Sequence, residues 1–264
     1  MKPDTFLGLS TDIWAGAILG AAVGSILIPF LSAVCRALMT RWQDSRPKSQ
    51  LFQRLANNEE VCTVFIRDFV LPEDSKILAV EPRRGIGQVQ NVHEFWADVD
   101  ARALGHFLNA LGQAGKRKNI KLERMSHDKT GTWDTHMIVI GGQSQKSLDF
   151  YERLKHVSFK MDAYEIIDVQ TGKAIPKDNG YGYGIILKAK NPYKTPGADG
   201  IAFLIGGFGT LGTAAAGYYF AQHLNELGRQ FKTRCFGIVV RASVTAGEEA
   251  VERLRQFDRT GPAL

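Results

Sequence analysis

The residues with the clearest capacity for chemistry in this chain are glycines. Gly207-Phe208-Gly209-Thr210-Leu211-Gly212 fits the pattern G-x-G-x-x-G. An apolar, β-capable run, Ile201 to Ile205, precedes it, and an alanine-rich segment of helical character, Thr213 to Phe231, follows. In that strand–turn–helix context the pattern has a mechanism. The glycines let the backbone turn tightly and approach a ligand, and the first helical turn offers unpaired N–H groups and a positive dipole end to a phosphate. A buried turn of this kind also needs small residues for packing alone, so the glycines fit a ligand site and a purely structural turn. A shorter copy of the arrangement lies upstream, where His136 to Ile140 runs into Gly141-Gly142-Gln143-Ser144 and a helical segment, Lys146 to Lys155. Two such turns predict two parallel strands whose carboxyl ends share one crevice, the place where open α/β sheets bind ligands. The candidate binding residues are therefore Gly141, Gly142, Ser144, Gly207, Gly209, Thr210, Gly212 and Thr213, and the ligand class is a nucleotide or another phosphate-bearing small molecule.

Other chemistries find less support. Full dinucleotide folds place the glycine fingerprint at their first strand, with an acidic residue about 20 residues on. Here the motif lies near the carboxyl terminus, and the next strand ends at Arg241 and Ser243, with no carboxylate. Arg241 suits a 2′-phosphate, but few βαβ units remain to complete an NAD(P) domain. The six histidines show no H-x-x-x-H or H-E-x-x-H spacing, and neither G-x-S-x-G nor G-x-x-x-x-G-K-[ST] occurs. Cys35, Cys62 and Cys235 form no C-x-x-C pair, which argues against a zinc site and a disulfide framework and suits a reducing compartment. No metal site or cofactor is assigned. Were the protein an enzyme, Asp98, Asp100 and Asp199 would be its first carboxylates. Asp98 and Asp100 also fall in the first turns of a helix read over Phe95 to Ala114, where acidic side chains favour the dipole.

The elements around these residues alternate between strand and helix. Cys62 to Leu71, Tyr164 to Val169, Tyr183 to Ala189 and Cys235 to Ala242 read as further strands, and Glu248 to Phe257 as a last short helix. Pro72 to Gln90 reads as a loop, in which Arg83-Arg84 could hold a phosphate but composition favours an exposed loop. Asn179 to Gly184 reads as a glycine-rich turn or ligand-covering loop with two tyrosines, and Lys116-Arg117-Lys118 as a solvated surface. The net charge of +6 is spread along the chain without a basic face interleaved with aromatics, so direct nucleic-acid binding is not expected.

The amino-terminal part carries a different expectation. Ile13 to Val34 holds no charge and is long enough for a hydrocarbon core, which takes about 20 apolar residues. It predicts a single-pass transmembrane helix over 13–35, after an extracytoplasmic segment 1–12 and before a linker 36–60, an α/β domain 61–259 and a tail 260–264. The basic residues after the span place the carboxyl-terminal domain in the cytoplasm, at a cell inner membrane. Gly16, Gly20 and Gly24 share one helix face and predict homo-oligomerisation in lipid. A second membrane segment over Gly200 to Leu224 is the alternative to a strand-to-helix unit there, and the turn residues favour the latter.

The pieces IVIGGQSQ, YGYGIILKAKNPY and GGFGTLGTAAAGYYFAQHL, within Met137 to Leu227, resemble an uncharacterised Rossmann-like domain of prokaryotic proteins. The resemblance implies fold and origin rather than a reaction. The layout of anchor plus α/β domain also resembles membrane effectors of bacterial antiphage systems. The expected fold is thus a Rossmann-like three-layer α/β domain with a mostly parallel sheet and an antiparallel β element, preceded by one transmembrane helix. The expected function is a nucleotide-binding sensor or effector acting through membrane-helix assembly. The alternatives are a membrane-tethered nucleotide-processing or NAD(P)-dependent enzyme, and a docking module for a protein partner.

Overall fold

The structure, a computed structural model, describes residues 5–6, 9–10, 30, 32–35, 39, 45–70, 76–80, 87–91, 94–125, 133–142, 145–154, 158–161, 165–194, 200–208 and 211–258. The chain divides into two compact units, Met1–Arg46 and Pro47–Leu264. In the first, Thr5–Phe6 pairs antiparallel with Leu9–Ser10, and residues 30, 32–35 and 39 are helical. The expected transmembrane helix is corrected here. Among the described residues no helix is long and apolar enough to cross a membrane. The longest continuous helix among them, Asp98–Gln113, has 16 residues and an acidic first turn, short of the roughly 20 apolar residues a span requires. Most of 13–35, with Gly16, Gly20 and Gly24, lies outside the described residues.

The second unit begins with helical residues 47–52 and a 3-10 turn, Gln53–Ala56. Strand β1 is Cys62–Ile66, and β2 (Asp68–Val70) pairs antiparallel with β5 (Glu94–Trp96). Between them β3 (Lys76–Val80) and β4 (Gly87–Asn91) pair antiparallel, where Pro72 to Gln90 was expected to be loop. There follow α1 (Asp98–Gln113), β6 (Ile120–Arg124), β7 (His136–Ile140) and α2 (Gln145–Arg153). A small antiparallel sheet holds β8 (Phe159–Met161), β9 (Ile166–Asp168) and β10 (Lys173–Ala174). The chain closes with β11 (Tyr181–Lys190), β12 (Ile201–Phe208), α3 (Gly212–Gln222), α4 (Leu224–Phe231), β13 (Phe236–Ser243) and β14 (Val251–Asp258).

Seven strands form the main sheet in the order β14-β13-β11-β12-β7-β1-β6. β6, β1, β7 and β12 run parallel, whereas β11, β13 and β14 join by antiparallel pairing. The sheet is therefore mixed rather than mostly parallel. β11 is not part of an appended element but is embedded between β12 and β13, and all its residues from Gly182 to Lys188 are buried. Two further expectations change. Asn179 to Gly184 is no loop: Gly180, at φ +87°, makes the turn, and Tyr181 to Gly184 already belong to β11. Val251 to Phe257 is strand rather than helix. Its apolar residues stand at helical spacing, but a register shift opposite Val239/Val240 lets Val251 pack on one face of the sheet and Leu254 and Phe257 on the other.

Two apolar layers hold the sheet. On one face Val64, Ile66, Ile138, Ile140 and Ile205 pack against α1 (Leu104, Phe107), α3 (Ala216, Phe220) and the leading helical turn (Phe52). On the other, Phe65, Val139 and Leu204 meet α2 (Phe150, Tyr151) and the small sheet (Phe159, Met161). Helices α1 and α3 touch at backbone distance: a Cβ on Gly217 would stand 2.7 Å from the Ala103 Cα. The tightest seam is where α3 starts. A Cβ on Gly207 would lie 2.2 Å from the Gly212 carbonyl carbon, and one on Gly212 2.1 Å from the Tyr183 carbonyl oxygen. Gly212→Ala is expected to destabilise the fold by about 1–3 kcal/mol or more through overpacking. Gly105→Ala, where nothing lies within 4 Å of the new carbon, is expected to stabilise it by about 0.5–1 kcal/mol. Urea unfolding of the two variants against wild type measures both.

Candidate functional site

The parallel strands β1, β7 and β12 end side by side, and their connections part there. The chain after β1 reaches α1 and the chain after β12 reaches α3 on one face, whereas the chain after β7 enters α2 on the other. β7 is thus flanked by positions where the connections diverge, the geometry that opens a crevice at the carboxyl ends of strands. The ladder runs one step past each strand: the Arg67 N–H donates to Ile140 O at 3.1 Å, and the Gly141 N–H to Ile205 O at 2.8 Å.

Of the sequence-predicted site, Gly141, Gly142, Gly207, Gly212 and Thr213 are brought together at these strand ends. Ser144, Gly209 and Thr210 lie outside the described residues, as do Asp199, Arg83 and Arg84. The contacts give the described glycines packing work. Gly141 has φ +103°, the left-handed region that glycine tolerates, and its missing Cβ would meet the Arg67 Cβ at 2.8 Å and Asp100 Oδ2 at 3.4 Å. A Cβ on Gly142 would meet the Met161 sulfur at 2.5 Å and the Gly207 nitrogen at 3.1 Å.

The charged centre of this cluster is Asp100, on the first turn of α1 and wholly buried. Its Oδ2 accepts from Arg67 Nε at 2.8 Å, and the Thr213 hydroxyl faces the same carboxylate. Among the described residues Oδ1, also buried, has no hydrogen-bond partner. Burial pushes the carboxyl above the usual carboxylate range, and the Arg67 guanidinium and Thr213 hydroxyl pull it back only in part. Asp98, two residues earlier, is exposed and pairs with Arg102 one turn on at 3.0 Å, which is the ordinary role of a surface helix residue. Arg67 was not among the sequence candidates. Its signal was a charge placed directly after the apolar β1 run, at the carboxyl end of a parallel strand.

The remaining polar groups belong to other jobs. Arg241 pairs with Glu252 and with Asp178 at 3.1 Å and lies over the Tyr181 ring, and Ser243 Oγ meets Thr245 Oγ1 at 2.9 Å. Lys116 is buried rather than solvated, because its Nζ donates to the Asn57 (2.6 Å) and Glu60 carbonyls; Arg117 and Lys118 are exposed as expected. Cys62 sits in the core, its thiol pushed by burial to about 12. His136, at the opposite end of β7, is held neutral with a pKa of about 4, by burial first and Lys194 second; its Nδ1 accepts from the Ile201 N–H. Among the described residues no group of histidines, cysteines and carboxylates could hold a metal ion.

No protein-family model matches the chain, and no curated protein matches it.

Lys188 supplies a pH test of the core around this sheet. It is buried in β11 and donates to Lys232 O at 3.1 Å, at the carboxyl end of α4, where a cation suits the dipole. Burial nonetheless lowers its pKa from 10.5 to about 7. Between those values the unfolded chain binds a proton that the folded one does not, so stability rises with pH across this window and is lowest below pH 7. One proton corresponds to at most about 1.4 kcal/mol per pH unit. Chemical unfolding from pH 6 to 10 is expected to show this rise in wild type and to lack it in Lys188→Met.

Proposed function

We propose that the α/β unit binds a phosphate-bearing small molecule, a nucleotide being the class preferred, at the carboxyl ends of β1, β7 and β12, and that it serves as a sensor of that molecule. One observation carries the reading. A guanidinium (Arg67), a hydroxyl (Thr213) and the start of the 11-residue helix α3 converge on a buried carboxylate that keeps one oxygen without a partner. Buried polar atoms in native folds are normally satisfied, so an orphaned carboxylate oxygen beside a cation and a helix start marks an incomplete arrangement in which the cation and the helix start can serve another anion. The strand ends beside β7, where connections leave to opposite faces, are where such folds accept ligands.

A second reading has its own observation. The contacts at Gly142, Gly207 and Gly212 explain those glycines as backbone packing, which favours a module that docks a protein partner and needs no small ligand. Full-length chain purified under native conditions, then denatured, separates the two. Mass spectrometry of the released small molecules is expected to recover a nucleotide. A folded protein that releases none and binds no added nucleotide supports the docking module and overturns nucleotide binding.

A further inference from the structure

Resting on the proposed phosphate site, we infer that Asp100 is a resident anion in it: the carboxylate holds Arg67 and Thr213 in the free protein, and an entering phosphate takes both by displacing it. The two groups that face the carboxylate, Arg67 on Oδ2 and the Thr213 hydroxyl, have the chemistry phosphate uses. A guanidinium pairs with phosphate as with carboxylate, and a hydroxyl in the first turn of a helix adds a donor where the dipole end favours negative charge. Asp100 fills this place imperfectly. It is wholly buried, and it satisfies Oδ2 while Oδ1 has no partner. A phosphate presents more acceptor oxygens to the same donors. Carboxylate and phosphate cannot share the seat comfortably, because two anions in a buried setting repel strongly. Exchange keeps Arg67 paired throughout and removes the orphaned oxygen from its enclosure. The affinity of the free protein is therefore lowered by its own side chain.

The test uses the full chain and titration calorimetry with two probes, ADP and inorganic pyrophosphate. Asp100→Asn keeps the shape and removes the charge, and Asp100→Ala removes the side chain; thermal unfolding identifies which of them retains the fold. Either folded variant is expected to bind both probes at least about tenfold more tightly than wild type, because the internal anion that competes for Arg67 and Thr213 is gone. Asp98→Asn removes the same charge from an exposed position on the same helix turn. It is expected to change affinity by less than about twofold, since exposed charges are screened. Equal tightening by Asp98→Asn reduces the effect to general electrostatics and overturns the displacement. Weaker binding by the Asp100 variants also overturns it, because Asp100 would then be a direct ligand contact. Tightening for ADP with pyrophosphate unchanged assigns Asp100 to the nucleoside and does the same. Binding of neither probe by wild type or any variant removes the phosphate site itself, a failure distinct from loss of the exchange alone.

Discussion

Enclosing the carboxylate of Asp100 is the demand around which the parallel half of this protein is arranged. A buried carboxylate is tolerated only when paired and hydrogen-bonded. The partners come from separate parts of the chain: Arg67 from the end of β1 and Thr213 from the start of α3. The carboxylate also lies against Gly141, at the end of β7, where an added Cβ would touch it at 3.4 Å and clash with the Arg67 Cβ at 2.8 Å. The pair can therefore form only when β1 and β7 are in register, α1 has docked and α3 has started beside β12. Arg67 is itself fixed by its backbone bond to Ile140. The ion pair thus reports on the joint that the glycine contacts create.

Those contacts set the distances. Gly207 against Gly212, and Gly212 against the Tyr183 carbonyl, press the first turn of α3 onto β12 and β11. Gly206 does the same toward Gly142, whose Cα would stand 2.6 Å from an added Cβ. The close seam carries Thr213 to within reach of Asp100. Packing and polar chemistry are one arrangement here: the residues that need no side chain bring together those whose side chains bear the charge.

Much of this joint was legible in the sequence, for local reasons. Ile201 to Ile205 followed by glycines and an alanine-rich helix, and HMIVI followed by Gly-Gly, are strand-to-turn signals that depend on nearest neighbours, and β7 and β12 do lie parallel and adjacent. The errors have equally physical causes. β11 reads as a loop at its start because Gly182 and Gly184 break the strand pattern; they are glycine because α3 lies directly on them, a tertiary contact. β14 reads as a helix because a bulge sends its apolar residues to two faces of the sheet. Asp100 stood out only as an acid at a helix start, indistinguishable by spacing from the exposed Asp98. Its partner Arg67 lies 33 positions away, and no local pattern links the two. The apolar run from Ile13 read as a membrane helix on hydropathy alone.

The most direct measurement is a double-mutant cycle on the Arg67–Asp100 pair, read by urea unfolding of the full chain at pH 8. Arg67→Met in the wild-type background is predicted to cost about 3–5 kcal/mol, because it leaves an uncompensated buried carboxylate. In the Asp100→Asn background the same change is predicted to cost less than about 1.5 kcal/mol, the value of an ordinary hydrogen bond. A coupling above about 1.5 kcal/mol places the buried charge at the centre of the joint. The same cost for Arg67→Met in both backgrounds would contradict that account and leave the glycine packing alone to hold the strand ends together.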